Sequence, residues 1–493
     1  MVQIRRQSVL GSVFAILGVG FGFLNSGFLQ PKLLSTEEIG ILRYFISLSG
    51  VVGSLAALGM PPVLIKYLPL SKQGGYESKL HRLFVIFLLI GLLVGLATLA
   101  IYLNFFQDKL STEWHGYTYQ FYTLIFLFST AVSWLDVHGL TSKSILARDV
   151  VVKFGYVIVL SGLYFFGFSF KTFLYFIEAV YATALIFLVY TIITKKLRLK
   201  LRSEESFAKL PLKPILSLAG FSVISFSINF LKREIDILMV SDLIDFSATG
   251  IYMIMMFFAV LVEVPGRGLN AIAPVKFGQL WAQGDMKSMN TLYHKTSQNQ
   301  LVIAGFVYVS LLALMPTAFA IMPNGETFSR GYLVIVWLGL AHLCQLGFGD
   351  SGRILYYSEK YRYNFYFTSL MLVLVIGLNY VFIPKYGLSG AGFATFLSQL
   401  VLNVIRWIFL KRHYDLQPFN KMSLWAFLLF VLSLIYLLIV RKLIELDHVF
   451  LKSAIAFVPI AVVYFFLIRY SDIASDLRNR LETYISKMKE VLS

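Results

Sequence analysis

An all-α integral membrane protein with about fourteen transmembrane helices is predicted by three features of the sequence. The 493 residues are 58% apolar and only 14% charged, with a mean hydropathy of +0.75, whereas soluble domains run near about 25% charged. Apolar runs of roughly 20 residues, long enough to cross a ~30 Å hydrocarbon layer, recur from end to end. Finally, 32 of the 43 Lys and Arg fall in alternate connections between these runs, which is the charge asymmetry of a polytopic protein.

The elements follow in order. Arg5-Arg6 and the apolar stretch after them resemble a signal peptide, but the stretch continues to about Phe28 without a small-x-small cleavage site and reads as a retained first helix. Further spans are expected at 40–64, 83–104, 117–136, 151–170, 172–194, 214–240, 247–269, 300–321, 331–350, 364–383, 388–410, 422–440 and 449–468. Two joints are weak: 151–194 is broken mainly by Lys171, and 214–240 carries Lys232-Arg233-Glu234-Ile235-Asp236. The basic segment 195–213 reads as a linker between two six-helix halves, 1–200 and 210–412. Spans at 421–470 are peripheral, and 471–493 is an amphipathic cytoplasmic tail with Ile473, Leu477, Leu481 and Ile485 at helical steps.

Because cytoplasmic loops retain positive charge, the split places both termini in the cytoplasm. The net charge of +17 is then explained by basic loops against anionic headgroups, and no nucleic-acid module is visible. Cys344 is the sole cysteine, which excludes a disulfide framework. Seven scattered histidines, no Gly-rich phosphate loop and no nucleophile elbow leave no catalytic residue, metal site or cofactor to assign. An ATP-driven pump is excluded unless its motor is a separate chain.

An internal repeat appears at an offset of 210. Leu33-Leu34-Ser35-Thr36-Glu37-Glu38-Ile39-Gly40-Ile41 corresponds to Leu243-Ile244-Asp245-Phe246-Ser247-Ala248-Thr249-Gly250-Ile251, and Gln73-Gly74 to Gln283-Gly284. Six helices separate the copies, an even number, so the repeats are parallel.

Ionisable groups within membrane helices cost roughly 2.5–3.5 kcal/mol each on insertion scales, so they face a cavity or a partner. Lys232 and Asp236 are spaced i,i+4 for mutual neutralisation, as are Glu263 and Arg267, with Pro265 between the latter two. Arg43, one turn into the second span, and Arg406 are placed to snorkel. Glu178 has no sequence-local partner. Arg43, Lys232, Arg233 and Arg267 are the candidate substrate-binding cations, and Glu178, Asp236 and Glu263 the candidates for coupling or ion pairing. Asn25, Asn229, Gln345, Asn379, Gln399 and Asn403 are candidate interhelical hydrogen-bonders.

The segment Leu33 to Gly40, Leu58-Gly59-Met60-Pro61-Pro62, Asp236 to Val240 with Thr249-Gly250-Ile251-Tyr252, Ala273-Pro274 to Gln283-Gly284-Asp285, and Tyr386-Gly387-Leu388-Ser389-Gly390-Ala391-Gly392 together resemble the polysaccharide-transporter (Wzx-type flippase) family. The resemblance spans helices one to twelve. It implies the multidrug/oligosaccharidyl-lipid/polysaccharide exporter fold, two lobes around a central cavity. It further implies non-covalent flipping of an undecaprenyl-pyrophosphate-linked oligosaccharide (O-antigen, capsule or exopolysaccharide unit) across the bacterial inner membrane by alternating access. The implied partners are that lipid-linked oligosaccharide, membrane lipids, and the glycan polymerase and glycosyltransferases of the same pathway. A cation-coupled multidrug exporter, a peptidoglycan-precursor flippase and a non-transporting membrane scaffold stay open as alternatives, although no acid occupies Ser8 to Leu29, where drug exporters commonly carry one.

The topology has a direct test. In a Cys344→Ser background, Ser203→Cys in the basic linker is expected to react with an impermeant maleimide only after cells are permeabilised, and labelling of intact cells would reverse the orientation.

Overall fold

The computed structural model describes residues 2–105, 110–197, 199, 210–264, 273–444 and 448–470. Arg267 and Pro265, most of the 195–213 linker and the 471–493 tail lie outside the described residues. Among the described residues the chain is helical without strands. Thirteen helices are long and apolar enough to cross a membrane, fourteen if one bent pair is a single span. The protein is a multi-pass membrane protein. Large apolar side chains cover its surface, with Phe105, Phe165 and Phe166 all more than three-quarters exposed, as expected where the solvent is hydrocarbon.

The chain divides into two compact units, Met1–Met253 and Ile254–Ser493. The first holds α1 (Val2–Leu24, continued by a π-turn at Asn25–Leu29), α2 (Thr36–Ala56), α3 (Met60–Gln73), α4 (Glu77–Phe105), α5 (His115–Val137), α6 (Val152–Phe166, entered through a π-turn at Leu146–Val151), α7 (Phe170–Thr194), α8 (Leu212–Leu243) and the first half of α9 (Phe246–Val260). The division falls inside α9 rather than at the basic linker because α8 packs along α2 and α3.

Helix α2 is the buried spine of this unit, with 78% of its apolar window inside. A capping box starts it: Ser35 Oγ accepts from Glu38 N at 3.2 Å, and Glu38 Oε2 accepts from Ser35 N at 2.8 Å. At the repeat-equivalent position Asp245 Oδ1 accepts from Ala248 N at 2.6 Å and starts α9. The expected 40–64 span ends sooner, at Ala56, where Leu58 (φ 47°) and Gly59 (φ 68°) turn the chain into α3. A Cβ at Gly59 would strike the carbonyl of Ala219 on α8, so glycine is needed for both its dihedral and the approach.

The two repeats meet at their glycines. A Cβ on Gly40 would collide with the carbonyl of Phe246, and one on Gly250 with the carbonyl of Thr36. Since 36 and 246 are also related by the 210 offset, the contact is reciprocal, as a local two-fold requires. Thr36 Oγ1 and Ser247 Oγ close it at 2.6 Å.

The second unit is built on α11 (Met286–Ile321), entered from α10 (Ala273–Gln283), the counterpart of α3 in the repeat. Around α11 stand α12 (Tyr332–Gly347), α16 (Lys421–Leu443) and α17 (Val449–Tyr470), while α14 (Arg362–Tyr386) and α15 (Leu388–Tyr414) pair with each other and α15 packs on α12. Asp285 caps α11, and its hydrogen bonds to Ser288 hold its carboxyl below the usual carboxylate range. The expected 331–350 span is α12 joined to α13 (Ser351–Tyr357) across a 43° bend. The bend frees helix-terminal carbonyls, and α11 takes them up: Tyr293 donates to Phe348 O at 2.9 Å and Ser297 donates to Gly347 O.

Close packing at the crossing makes a size prediction. Gly40→Val or Gly250→Val is expected to lower stability by about 1–3 kcal/mol or more, read as a drop in thermal midpoint in detergent. Gly53→Ala, which meets no atom within 4 Å, should leave it unchanged.

Candidate functional site

Arg43, Ser47, Arg233 and Glu234 gather on one seam of the first unit, the antiparallel contact of α2 with α8. Arg43 lies on α2 two turns from its start and Glu234 in the second half of α8. Arg43 Nη2 donates to Glu234 Oε2 at 2.6 Å, and Ser47, one turn further along α2, donates to the same oxygen at 2.9 Å. The other oxygen, Oε1, receives Arg233 Nε at 3.2 Å. Two guanidiniums therefore share one buried carboxylate, a charge-assisted arrangement that leaves one positive charge in excess. Their exposures differ: the Arg43 side chain is 21% accessible and Arg233 67%. Arg233 is held in place by its stack on Phe230, 4.6 Å from the ring centroid. Phe230 in turn lies against Gly50 of α2, where a Cβ would meet its ring at 2.6 Å.

One residue beyond Arg43, Tyr44 donates to Tyr102 at 3.3 Å and Tyr102 to Asp242 at 3.1 Å. Asp236 is buried and accepts from Tyr252 of α9 at 2.9 Å. Lys232 is half-buried on the same helix.

Arg43 and Arg233 thus meet on one seam, with Lys232 next to Arg233 on α8. Arg43 does not snorkel; it crosses to Glu234. Glu263 receives His342 Nδ1 at 2.7 Å, both within the second unit, while its expected partner Arg267 is outside the described residues. Arg406 does not snorkel either: its Nη2 donates to Asn364 Oδ1 at 2.9 Å, tying α15 to α14. Asn25 donates to Lys153 O at 2.8 Å and Asn403 to Cys344 Sγ at 3.7 Å, whereas Asn229 bonds Ser225 on its own helix. Glu178 of α7 is buried, and its Oε1 has no hydrogen-bond partner. Ser47, Tyr102, Asp242 and His342 are not singled out in the sequence, and Tyr252 enters only as the end of a motif. Of these only Ser47 carried a signal, its i,i+4 spacing from Arg43.

The second unit contains an apolar cavity of about 420 Å³ between α12, α15 and α16, walled by Leu343, Cys344, Phe396, Phe427 and Phe430, with Asn420 also in its lining. Among the described residues no group of three His, Cys, Asp or Glu could hold a metal ion.

Comparison with solved structures identifies the architecture. The lipid II flippase MurJ in an inward closed conformation superposes with a TM-score of 0.67 at 16% identity, over 94% of this chain and 98% of that one. An inward-facing multidrug resistance MATE family transporter of the MOP superfamily gives 0.61 at 14% identity, over 80% and 94%. A MOP superfamily transporter from Pyrococcus furiosus gives 0.52 at 14% identity, over 84% and 96%. The fold is that of the MOP-superfamily transporters. No protein-family model matches the chain, and no curated protein matches it.

The seam of α2 with α8 predicts a measurable coupling. In a double-mutant cycle, Arg43→Gln with Glu234→Gln is expected to show an interaction energy of about 1–3 kcal/mol. The half-exposed pair Lys171–Glu113, at 2.9 Å, should show about 0–1 kcal/mol. Thermal unfolding in detergent checks both.

Proposed function

We propose that the chain is a flippase that carries an anionic lipid-linked saccharide across the bacterial inner membrane. The substrate is an undecaprenyl-pyrophosphate-linked oligosaccharide (O-antigen, capsule or exopolysaccharide unit), moved non-covalently by alternating access of the lobes 1–200 and 210–412 with both termini cytoplasmic. The observation that carries this reading is the pair of guanidiniums on Glu234, one of them two-thirds exposed. A pyrophosphate headgroup leaves water only if fixed positive charge replaces its hydration, and guanidiniums form strong charge-assisted bonds to phosphate. Glu234 holds those cations while the substrate is absent, and an arriving diphosphate competes for them. Lys232 and Arg267 are assigned to the same path. Asp236 keeps Tyr252 and Glu263 keeps His342 as local partners. The apolar cavity under α16 is chemically suited to an isoprenoid or acyl chain.

A second reading is favoured by a specific observation: the superposition on the lipid II flippase covers 94% of this chain, against 80% for the inward-facing MATE transporter. The cargo would then be a peptidoglycan precursor, again a lipid diphosphate, handled by the same cations.

One experiment tests the common chemistry and separates the cargoes. Arg43→Gln, Arg233→Gln and Arg267→Gln are each expected to reduce transport by roughly tenfold or more, the loss of one hydrogen bond to a charged group, with protein abundance unchanged, and Arg233→Lys should retain more. Loss of surface glycan in viable cells supports the oligosaccharide, and lysis on depletion supports the peptidoglycan precursor. Normal transport by all three Gln variants would overturn both.

A further inference from the structure

We propose that Glu178 is a proton-binding site: it carries a proton in the conformation described here and releases it when this part of the first unit opens to water, coupling transport to proton movement. The coupling role rests on the transport reading above; the protonation state does not. Glu178 is eight residues past the start of α7, about 12 Å along the helix at ~1.5 Å per residue, within an apolar span. The residue is only 9% exposed, its Oε1 is buried without a hydrogen-bond partner, and no ion pair to it occurs among the described residues.

Other carboxylates within membrane helices of the first unit are provided for. Glu234 has Arg43, Ser47 and Arg233; Asp236 has Tyr252; Asp242 has Tyr102; Asp149 has Arg148 at 3.0 Å and Lys153 at 3.1 Å. Glu178 stands apart from these, and an isolated buried carboxylate is costly enough that the group takes up a proton instead.

The groups around it supply no compensating charge. From α5 comes Tyr117, whose ring stacks with Tyr175 of α7 at 5.2 Å and whose hydroxyl is within electrostatic reach of Glu178. From α6 comes Tyr156, beside Tyr181 of α7. Arg148 of the adjoining π-turn and Lys153 in the first turn of α6 are engaged by Asp149. Arg43 of α2 is within electrostatic reach of Tyr156 and Tyr181 and has a buried Nε without a partner.

Releasing the proton leaves a bare carboxylate beside the Tyr117 and Tyr175 rings, so the charged form is favoured only where water reaches it. No covalent step is involved; the proton comes from and returns to water.

The test has a substrate-free arm and a transport arm. Infrared spectra of the full chain in phospholipid nanodiscs, titrated with acid and base alone, should show a protonated-carboxyl stretch persisting at neutral pH. Glu178→Gln should remove it, Glu113→Gln should leave it, and Glu178→Asp should retain one and confirm folding. In cells, export by the wild type should change several-fold between mildly acidic and mildly alkaline medium, while Glu178→Gln should be flat. Absence of the band in the wild type, its survival in Glu178→Gln, or an unchanged pH profile in that variant overturns the proposal. Normal export by the arginine variants would sink the transport reading without moving the infrared band, so the two failures are distinguishable.

Discussion

The contact of α2 with α8 and α9 is the constraint on which the first unit depends. Its geometry is set by glycines: Gly40 against the Phe246 carbonyl, Gly250 against Thr36, Gly50 against Phe230 and Gly59 against Ala219. Hydrocarbon offers no hydrophobic drive for helix association, so packing and hydrogen bonds must supply it. Small residues let the backbones approach, and the approach lets Arg43 reach Glu234 on a helix 191 residues away. Close contact and ion pair are therefore one device, since at a greater helix separation the carboxylate would be left without its buried partner.

The same solvent explains the breaks in the helices. Wherever the backbone departs from regular α-helix inside the apolar layer, its freed groups must find partners. The bend after α12 gives its carbonyls to Tyr293 and Ser297, and at the π-turn that ends α1 Asn25 donates across to Lys153 O of α6. Irregularity is concentrated where hydroxyl or amide side chains from another helix can satisfy it, which is why polar residues here mark joints.

Much of the architecture was legible because its causes are local. Span number and the repeat follow from hydropathy and from short motifs, and in the structure Ser35 and Asp245, aligned by the repeat, both cap a helix although the residue changes. The break at Leu58-Gly59 was misread as the interior of a longer span because its Met-Pro-Pro sequel is apolar enough to continue the run. The site was legible by residue type and not by partner. Spacing of i,i+4 suggests that Lys232 and Asp236, and Glu263 and Arg267, neutralise each other, but it gives no sign of the bonds that Asp236 and Glu263 also make to Tyr252 and His342. Those bonds are tertiary contacts 16 and 79 residues away in the chain, about which helical periodicity is silent. Arg406 shows the same limit: depth suggested snorkelling, while Asn364 on a neighbouring helix offered a nearer acceptor.

A carboxylate shared by two arginines is a costly structural fastener, since two apolar side chains of similar volume often hold helices at least as well as a buried ion pair. What an ion pair offers in exchange is reversibility toward another anion. Glu234 presents to Arg43 and Arg233 the same chemistry that a phosphate would, but as one tethered charge, against the two or more of a diphosphate. On the proposed reading the diphosphate outcompetes it only when it can reach both cations, and Arg233, stacked on Phe230 and exposed, is the one it meets first. Arg43 lies deeper, and its release also loosens α2 from α8. Binding and helix separation would then draw on the same bond, which is the condition for a ligand to shift a conformational equilibrium: its affinity must differ between the two states. A cation placed elsewhere on the helix could bind an anion equally well, but it would give that binding no purchase on the seam.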